Sequence, residues 1–125
     1  MLGVEVATMV LQRPPVSTLN ARQLRAGLRL SRERMARLLD VSAKTIERWE
    51  ERDALPASGQ VRSRLAQLRE IADLGLTVYT PDGFPRYLAT PLPTFGGRTA
   101  LQLIEQGEGD RVLAALAADY EGLGF

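Results

Sequence analysis

Leu19-Asn-Ala-Arg-Gln-Leu-Arg-Ala-Gly-Leu-Arg-Leu30 runs directly into Ser31-Arg-Glu-Arg-Met-Ala-Arg-Leu-Leu-Asp40 and then Val41-Ser-Ala-Lys-Thr-Ile-Glu-Arg-Trp-Glu-Glu51, with Pro56 a few residues on. Ser31 is placed to N-cap a segment whose apolar residues Met35, Ala36, Leu38 and Leu39 share one helical face. Ser42 is placed to N-cap another, in which Ile46 and Trp49 fall three apart. Only Asp40 and Val41 separate the two, so the helices must cross steeply, as in a helix-turn-helix. In that geometry one helix braces across a phosphate backbone while the next turns its outer face to base edges.

Asn20 or Thr18 can cap a preceding helix that reaches about Leu30, with Leu24 and Leu28 on its inner face. On the third helix, Ile46 and Trp49 point inward, which makes Trp49 a core residue and not a stacking platform. Ala43, Lys44, Glu47 and Arg48 point outward, and Thr45 lies near the N-terminal edge. Lys44 and Arg48 are four apart and share a face. Arginine offers a bidentate fork to guanine O6 and N7, and lysine reaches the same acceptors or a phosphate. A threonine methyl or hydroxyl can meet thymine or the backbone. Glu47 would be repelled by phosphate and is expected to be silent or paired.

The order and spacing of Ser31 through Glu51, followed by Pro56, resemble the Xre or phage-repressor helix-turn-helix family. The resemblance implies DNA binding through Arg32, Ser42, Ala43, Lys44, Thr45 and Arg48, with Arg32 on a phosphate. It also implies a structural ion pair between Arg25 and Glu50 that locks the first helix to the third, with Trp49 beneath the crossing and Glu51 at the surface. Asp40 departs from the glycine usual at the interhelical turn, but aspartate tolerates a left-handed backbone better than most residues.

With 125 residues the chain holds one ordinary domain or two very small ones sharing a core. It has no Cys and no His, which excludes disulfides, thiol nucleophiles, imidazole bases and ordinary zinc sites. No constellation for catalysis is visible, so the expected role needs no cofactor, metal or small-molecule substrate. No stretch is long and apolar enough to span a membrane, and Pro14-Pro15 interrupts the apolar start without a basic leader, so the expected location is cytoplasmic. The net charge of +1 hides a polarity. Residues 1–57 carry ten basic against seven acidic side chains, and residues 80–125 carry three against six. A basic front suits DNA, and an acidic back is repelled by it and suits another partner.

Residues 1–18 read as an N-terminal arm, residues 19–57 as the helix-turn-helix module, residues 58–79 as a connecting helix and residues 80–125 as a second module. Ser58 can cap the connecting helix, in which Val61, Leu65, Leu68, Ile71 and Ala72 recur at helical spacing; Gly75 is expected to end it, and Pro81-Asp82-Gly83 to make a turn. Thr99 can cap a short helix bearing Leu101, Leu103 and Ile104 that ends at Gly107. A further helix over residues 108–120 carries Val112, Leu113 and Leu116 on one side. Helices this short need partners to stay folded. Gly96, Gly97, Gly107 and Gly109 are turn glycines and no phosphate loop, because no Lys-Ser or Lys-Thr follows them.

Thr90-Pro91, Gly96-Gly97-Arg98-Thr99, Leu103, Gln106-Gly107, Gly109 and Val112 resemble the toxin-binding domain of the Xre/MbcA/ParS antitoxins over residues 87–125. Tyr87 stands where that family often has Trp, which keeps an aromatic anchor, and Ala100 where it often has Pro. The resemblance implies an all-α antitoxin that neutralises a RES-domain toxin, an enzyme that consumes NAD or transfers its ADP-ribose. It also implies repression of the antitoxin's own operon. The expected partners are operator DNA, the RES-domain toxin and a second copy in a homodimer; the alternative is a stand-alone repressor whose C-terminal half only dimerises. The expected toxin-binding residues are Gly96, Gly97, Arg98, Asp119, Tyr120, Leu123 and Phe125. The last four belong to an apolar, glycine-hinged tail next to an acidic surface of Glu105, Glu108, Asp110 and Asp119.

Overall fold

Polar side chains start the first three helices. In the computed structural model, which describes residues 20–123 apart from 53, 55 and 57, Asn20 caps α1 (Ala21–Leu28) in a reciprocal box with Gln23. The Asn20 Oδ1 accepts the Gln23 N–H at 2.9 Å, and the Gln23 Oε1 accepts the Asn20 N–H at 3.2 Å. The Ser31 hydroxyl accepts the Arg34 N–H at 3.0 Å and opens α2 (Arg32–Leu39). The Ser42 hydroxyl accepts the Thr45 N–H at 3.1 Å and opens α3 (Ala43–Arg52). The expected arm over residues 1–18 and the terminal Phe125 lie outside the described residues.

Both interhelical turns pass through the left-handed region at a non-glycine residue, Arg29 at φ 54° and Asp40 at φ 57°. Asp40 fills the role expected of it. Arg29 stops α1 at Leu28, short of Leu30, because the Arg29 and Leu30 N–H groups turn back to the Ala26 and Arg25 carbonyls at 3.1 Å.

The connecting helix α4 (Gly59–Val78) starts at the Ser58 cap, as expected, but does not end at Gly75. Gly75 is buried in the helix, and the Phe84 ring lies where its side chain would be. Its glycine permits a close approach, not a turn. Phe84 belongs to α5 (Gly83–Ala89), a helix the sequence reading did not foresee. The Thr80 hydroxyl accepts the Gly83 N–H at 2.9 Å, and Pro85 is tolerated because the first turn needs no donor there. A 3₁₀ turn (Pro93–Phe95) leads to Gly96 and Gly97, both with positive φ. Thr99 then caps α6 (Ala100–Glu105) in a second reciprocal box, with Gln102. Gly107 at φ 81° ends that turn, and α7 (Gly109–Gly122) closes the described chain.

No strand occurs among the described residues, and the fold is all-α. Leu24, Leu28, Met35, Leu38, Leu39, Ile46 and Trp49 of the first three helices join one apolar cluster with Leu65, Leu68 and Ile71 of α4. Phe84, Leu88, Phe95, Leu103, Val112 and Leu116 complete it from the other end of the chain. The long helix α4 lies chiefly against α7 and also touches α1 and α2, while α2 meets α6 and α1 meets α5. The first three helices are therefore braced by the C-terminal helices. No described helix is long and apolar enough to cross a membrane.

Candidate nucleic-acid interface and C-terminal surface

Ile46 is fully buried and Trp49 is 8% exposed, so α3 is fixed to the core by one face and presents the other outward. Lys44 and Arg48 are both exposed on that outer face, and Ala43, Thr45 and Glu47 are half-buried along its edge. The Thr45 hydroxyl lies 2.9 Å from the Ser42 hydroxyl and accepts a hydrogen bond from Arg48 Nη2 at 3.2 Å. Ser42, Thr45 and Arg48 therefore form a chain of hydrogen bonds along the N-terminal half of the helix.

The Glu50 side chain at the other end of α3 is 0% exposed and receives several guanidinium groups. Arg25 Nε donates to its Oε1 at 2.5 Å and Arg25 Nη2 to its Oε2 at 3.2 Å, so α1 and α3 are joined by the pair that the family resemblance implied. Arg32 Nε donates to the same Oε2 at 3.1 Å, and Arg22 Nε stands 4.0 Å from it. Arg25 also donates to the Leu30 carbonyl at 3.1 Å, tying the α1–α2 turn into the same knot. The hydrogen bond from Arg25 holds the Glu50 carboxyl below the usual carboxylate range, against the opposing effect of burial and with further help from Arg32. The same bond raises Arg25.

The sequence reading assigned Arg32 to a phosphate and did not foresee its bond to Glu50. At 40% exposure its guanidinium still reaches solvent, so the residue is anchored at one edge and open at the other. The contribution of Arg22 was also missed. Its spacing of three from Arg25 on α1 was the signal, since that spacing puts both on one helical face.

The C-terminal candidates divide. Gly96 and Gly97 are exposed at the turn, whereas the Arg98 side chain folds back over it. Its Nε donates to the Phe95 carbonyl at 3.2 Å, and its Nη1 donates to Gln106 Oε1 at 2.5 Å and Glu108 Oε2 at 2.7 Å. Arg98 therefore staples the turn to the α6–α7 junction. Glu108 also accepts from Arg111 at 3.0 Å, and these two arginines hold its carboxyl below the ordinary range. Glu105 faces α2, where it pairs with Arg34 at 2.8 Å and Arg37 at 3.5 Å.

Glu105 and Glu108 are committed to internal ion pairs, so the expected acidic surface reduces to the exposed Asp110 and Asp119. The expected glycine-hinged tail is helical through Gly122, because Tyr120 and Glu121 continue α7 from the Val112 and Leu116 packing. Tyr120 is half-buried, and Leu123, 53% exposed, is the large hydrophobic side chain left facing solvent among the described residues.

Next to Asp119 lies an aromatic stack. The Tyr79 and Tyr87 rings are 4.8 Å apart and nearly parallel, with Phe84 6.4 Å from Tyr79 and 6.2 Å from Tyr87. Tyr79 donates its hydroxyl to Asp119 Oδ2 at 3.1 Å, which fixes α7 to the end of α4. Burial pushes the Tyr87 phenol up to about 12, with Tyr79 and Asp119 adding to the shift. Tyr87 therefore takes the anchoring place expected of an aromatic there.

No family model matches the chain, and no curated protein sequence does. Among solved structures, the fold is similar to a chain of the M. tuberculosis MbcT–MbcA toxin–antitoxin complex. The TM-score is 0.68 at 25% identity, and the match covers 82% of this chain and 91% of that one. The similarity supports an MbcA-like antitoxin.

Proposed function

We propose that this chain is an antitoxin that neutralises a RES-domain toxin through its C-terminal half and represses its own operon by binding operator DNA through α3. The observation that carries the antitoxin reading is the match over 82% of the chain to a chain of a toxin–antitoxin complex. The residues of 87–125 that resemble the antitoxin family's toxin-binding domain support the same partner.

The DNA half of the proposal is supported by geometry. Lys44 and Arg48 are exposed on the outer face of a helix whose inner face is locked by Ile46, Trp49 and the buried Glu50 side chain. A rigid helix that projects a guanidinium and an ammonium is suited to guanine edges and phosphates in the major groove. One such helix buries too little DNA for useful selectivity, so the chain acts as a homodimer on two half-sites. It works by binding and not by catalysis.

Two measurements on the purified protein test this. Added to a RES-domain toxin, it should suppress NAD consumption at near-stoichiometric ratio. It should also retard DNA from upstream of its own gene in a mobility-shift assay, with cold random DNA competing poorly. An unaffected toxin would overturn the first role, and equal competition by random DNA the second.

A further inference from the structure

Thr45 has two possible ways to act on DNA: through its own methyl or hydroxyl, or through Arg48. We infer that it is a positioning residue that aims Arg48, an inference that rests on reading α3 as the DNA-contacting helix. A hydroxyl has one proton and two acceptor positions. The Thr45 Oγ1 lies 2.9 Å from Ser42 Oγ and accepts from Arg48 Nη2 at 3.2 Å. Ser42 Oγ is itself held in place because it accepts the Thr45 backbone N–H at 3.1 Å as the helix cap. The cap thus fixes Ser42, Ser42 orients the Thr45 hydroxyl, and the hydroxyl holds one hydrogen of Nη2.

A guanidinium has five donors, and each terminal nitrogen carries two of them. With one Nη2 hydrogen on Thr45, the second Nη2 hydrogen and the remaining nitrogens are still available for a bidentate contact to guanine O6 and N7. Arg48 is exposed, and an exposed arginine normally gives up much rotamer freedom when it docks. Held by Thr45, it has surrendered part of that freedom before DNA arrives, so the cost of forming the fork is smaller. The benefit appears only where Arg48 reads a base, and so it affects selectivity more than total affinity.

The test compares Thr45→Val, which keeps the shape, the methyl and the backbone N–H but lacks the hydroxyl, with Thr45→Ser, which keeps the hydroxyl and loses the methyl. Both are assayed on duplexes selected by the wild-type chain from a randomised library, and on unselected duplexes. Thr45→Val should lower the preference for the selected base at the Arg48 position roughly three- to tenfold, the range of one hydrogen bond's net worth. It should cost more on selected than on unselected DNA, and Thr45→Ser should restore the preference. In an Arg48→Ala background, Thr45→Val should have no further effect on selectivity.

Loss in Thr45→Ser with retention in Thr45→Val would overturn the inference in favour of a methyl contact. A full Thr45→Val effect in the Arg48→Ala background would overturn it in favour of a direct hydroxyl contact. If Thr45→Val does not fold, Thr45→Ala, which also lacks the hydroxyl, takes its place in the wild-type and Arg48→Ala backgrounds, with Thr45→Ser showing what loss of the methyl alone costs. A wild-type chain that selects no sequence overturns the DNA-binding reading and this inference with it. A selected operator on which Thr45→Val behaves as wild type overturns this inference alone.

Discussion

Arg25 and Glu50 meet at 2.5 Å, with the glutamate side chain sealed from solvent and the arginine 23% exposed. A carboxylate in that position is strongly penalised unless guanidinium groups hold it, and both Arg25 and Arg32 do. Removing Arg25 leaves Glu50 buried with Arg32 at 3.1 Å and Arg22 at 4.0 Å. Arg25→Ala should therefore lower stability by about 3 kcal/mol, at the lower end for a broken buried pair because Arg32 remains. Urea denaturation at neutral pH measures this.

The pH dependence of the same pair has a definite sign. The Glu50 carboxyl titrates below its ordinary value of 4.5 in the folded protein, so the folded state favours the ionised form. The stabilisation is complete above the unfolded value and is withdrawn as pH falls through the depressed folded one. Stability should decline on acidification below about pH 4.5, and Glu50→Gln should flatten that decline while lowering stability at neutral pH. Denaturation profiles of the two proteins between neutral and strongly acidic pH would expose equal slopes if Glu50 did not contribute.

Gly75 and Phe84 support a second stability prediction. A methyl at Gly75 would overlap the Phe84 ring, which is itself fully buried. On an isolated helix Gly→Ala is stabilising, yet here overpacking opposes it. Gly75→Ala should destabilise by roughly 1–3 kcal/mol, and pairing it with Phe84→Leu should recover part of the loss. Thermal melts of the single and double variants distinguish this packing role from a helix-ending one, under which the double variant would recover nothing.

These positions also indicate what could be read from the sequence and what could not. The caps at Ser31, Ser42, Ser58 and Thr99 were legible, and Asn20 was one of two candidates beside Thr18, because capping depends on a few adjacent residues. The buried faces of α2 and α3 were legible from helical spacing. Gly75 was misread because a glycine signals either a left-handed turn or a close approach, and only the distant Phe84 decides which. The helix α5 was missed because Gly83 and Pro85 punctuate it, although Pro in a first turn does no harm. The resemblance pointed to the Arg25–Glu50 pair. The bonds of Arg32 to Glu50, Arg34 to Glu105 and Arg98 to Glu108 join side chains through tertiary folding, and no local pattern foretold them.

The outer face of α3 gives a prediction with two distinguishable losses. On the proposed reading of α3, Arg48→Ala should cost about 1–3 kcal/mol on the selected operator and relax its sequence preference, because the proposed bidentate base contact would be lost. Arg32→Ala should weaken binding to all duplexes alike and also lower the melting temperature, because Arg32 holds Glu50 at 3.1 Å. Equal losses on operator and random DNA for Arg48→Ala would remove it from base readout. An unchanged melting temperature for Arg32→Ala would mean that its bond to Glu50 contributes nothing to stability.

The C-terminal end of α7 is where the structure changes the sequence expectation and sharpens its test. Deleting residues 120–125 would remove Tyr120 and the last turn of a helix packed on α4, so loss of function could reflect loss of fold. Leu123 is a better probe, because at 53% exposure it lies just beyond the helix and supports little of the core. An exposed leucine at a binding surface contributes by being covered, and an aspartate there would have to be desolvated. Leu123→Asp and Leu123→Asn should leave the melting temperature nearly unchanged and operator binding intact. Both should weaken inhibition of a RES-domain toxin by tenfold or more, about 1.4 kcal/mol. The measurement is the antitoxin concentration that halves NAD consumption, alongside a melt of each variant. Full inhibition by both stable variants would remove Leu123 from the toxin-binding surface and leave Asp119, Tyr120 and the exposed Gly96-Gly97 turn to be tested in the same assay.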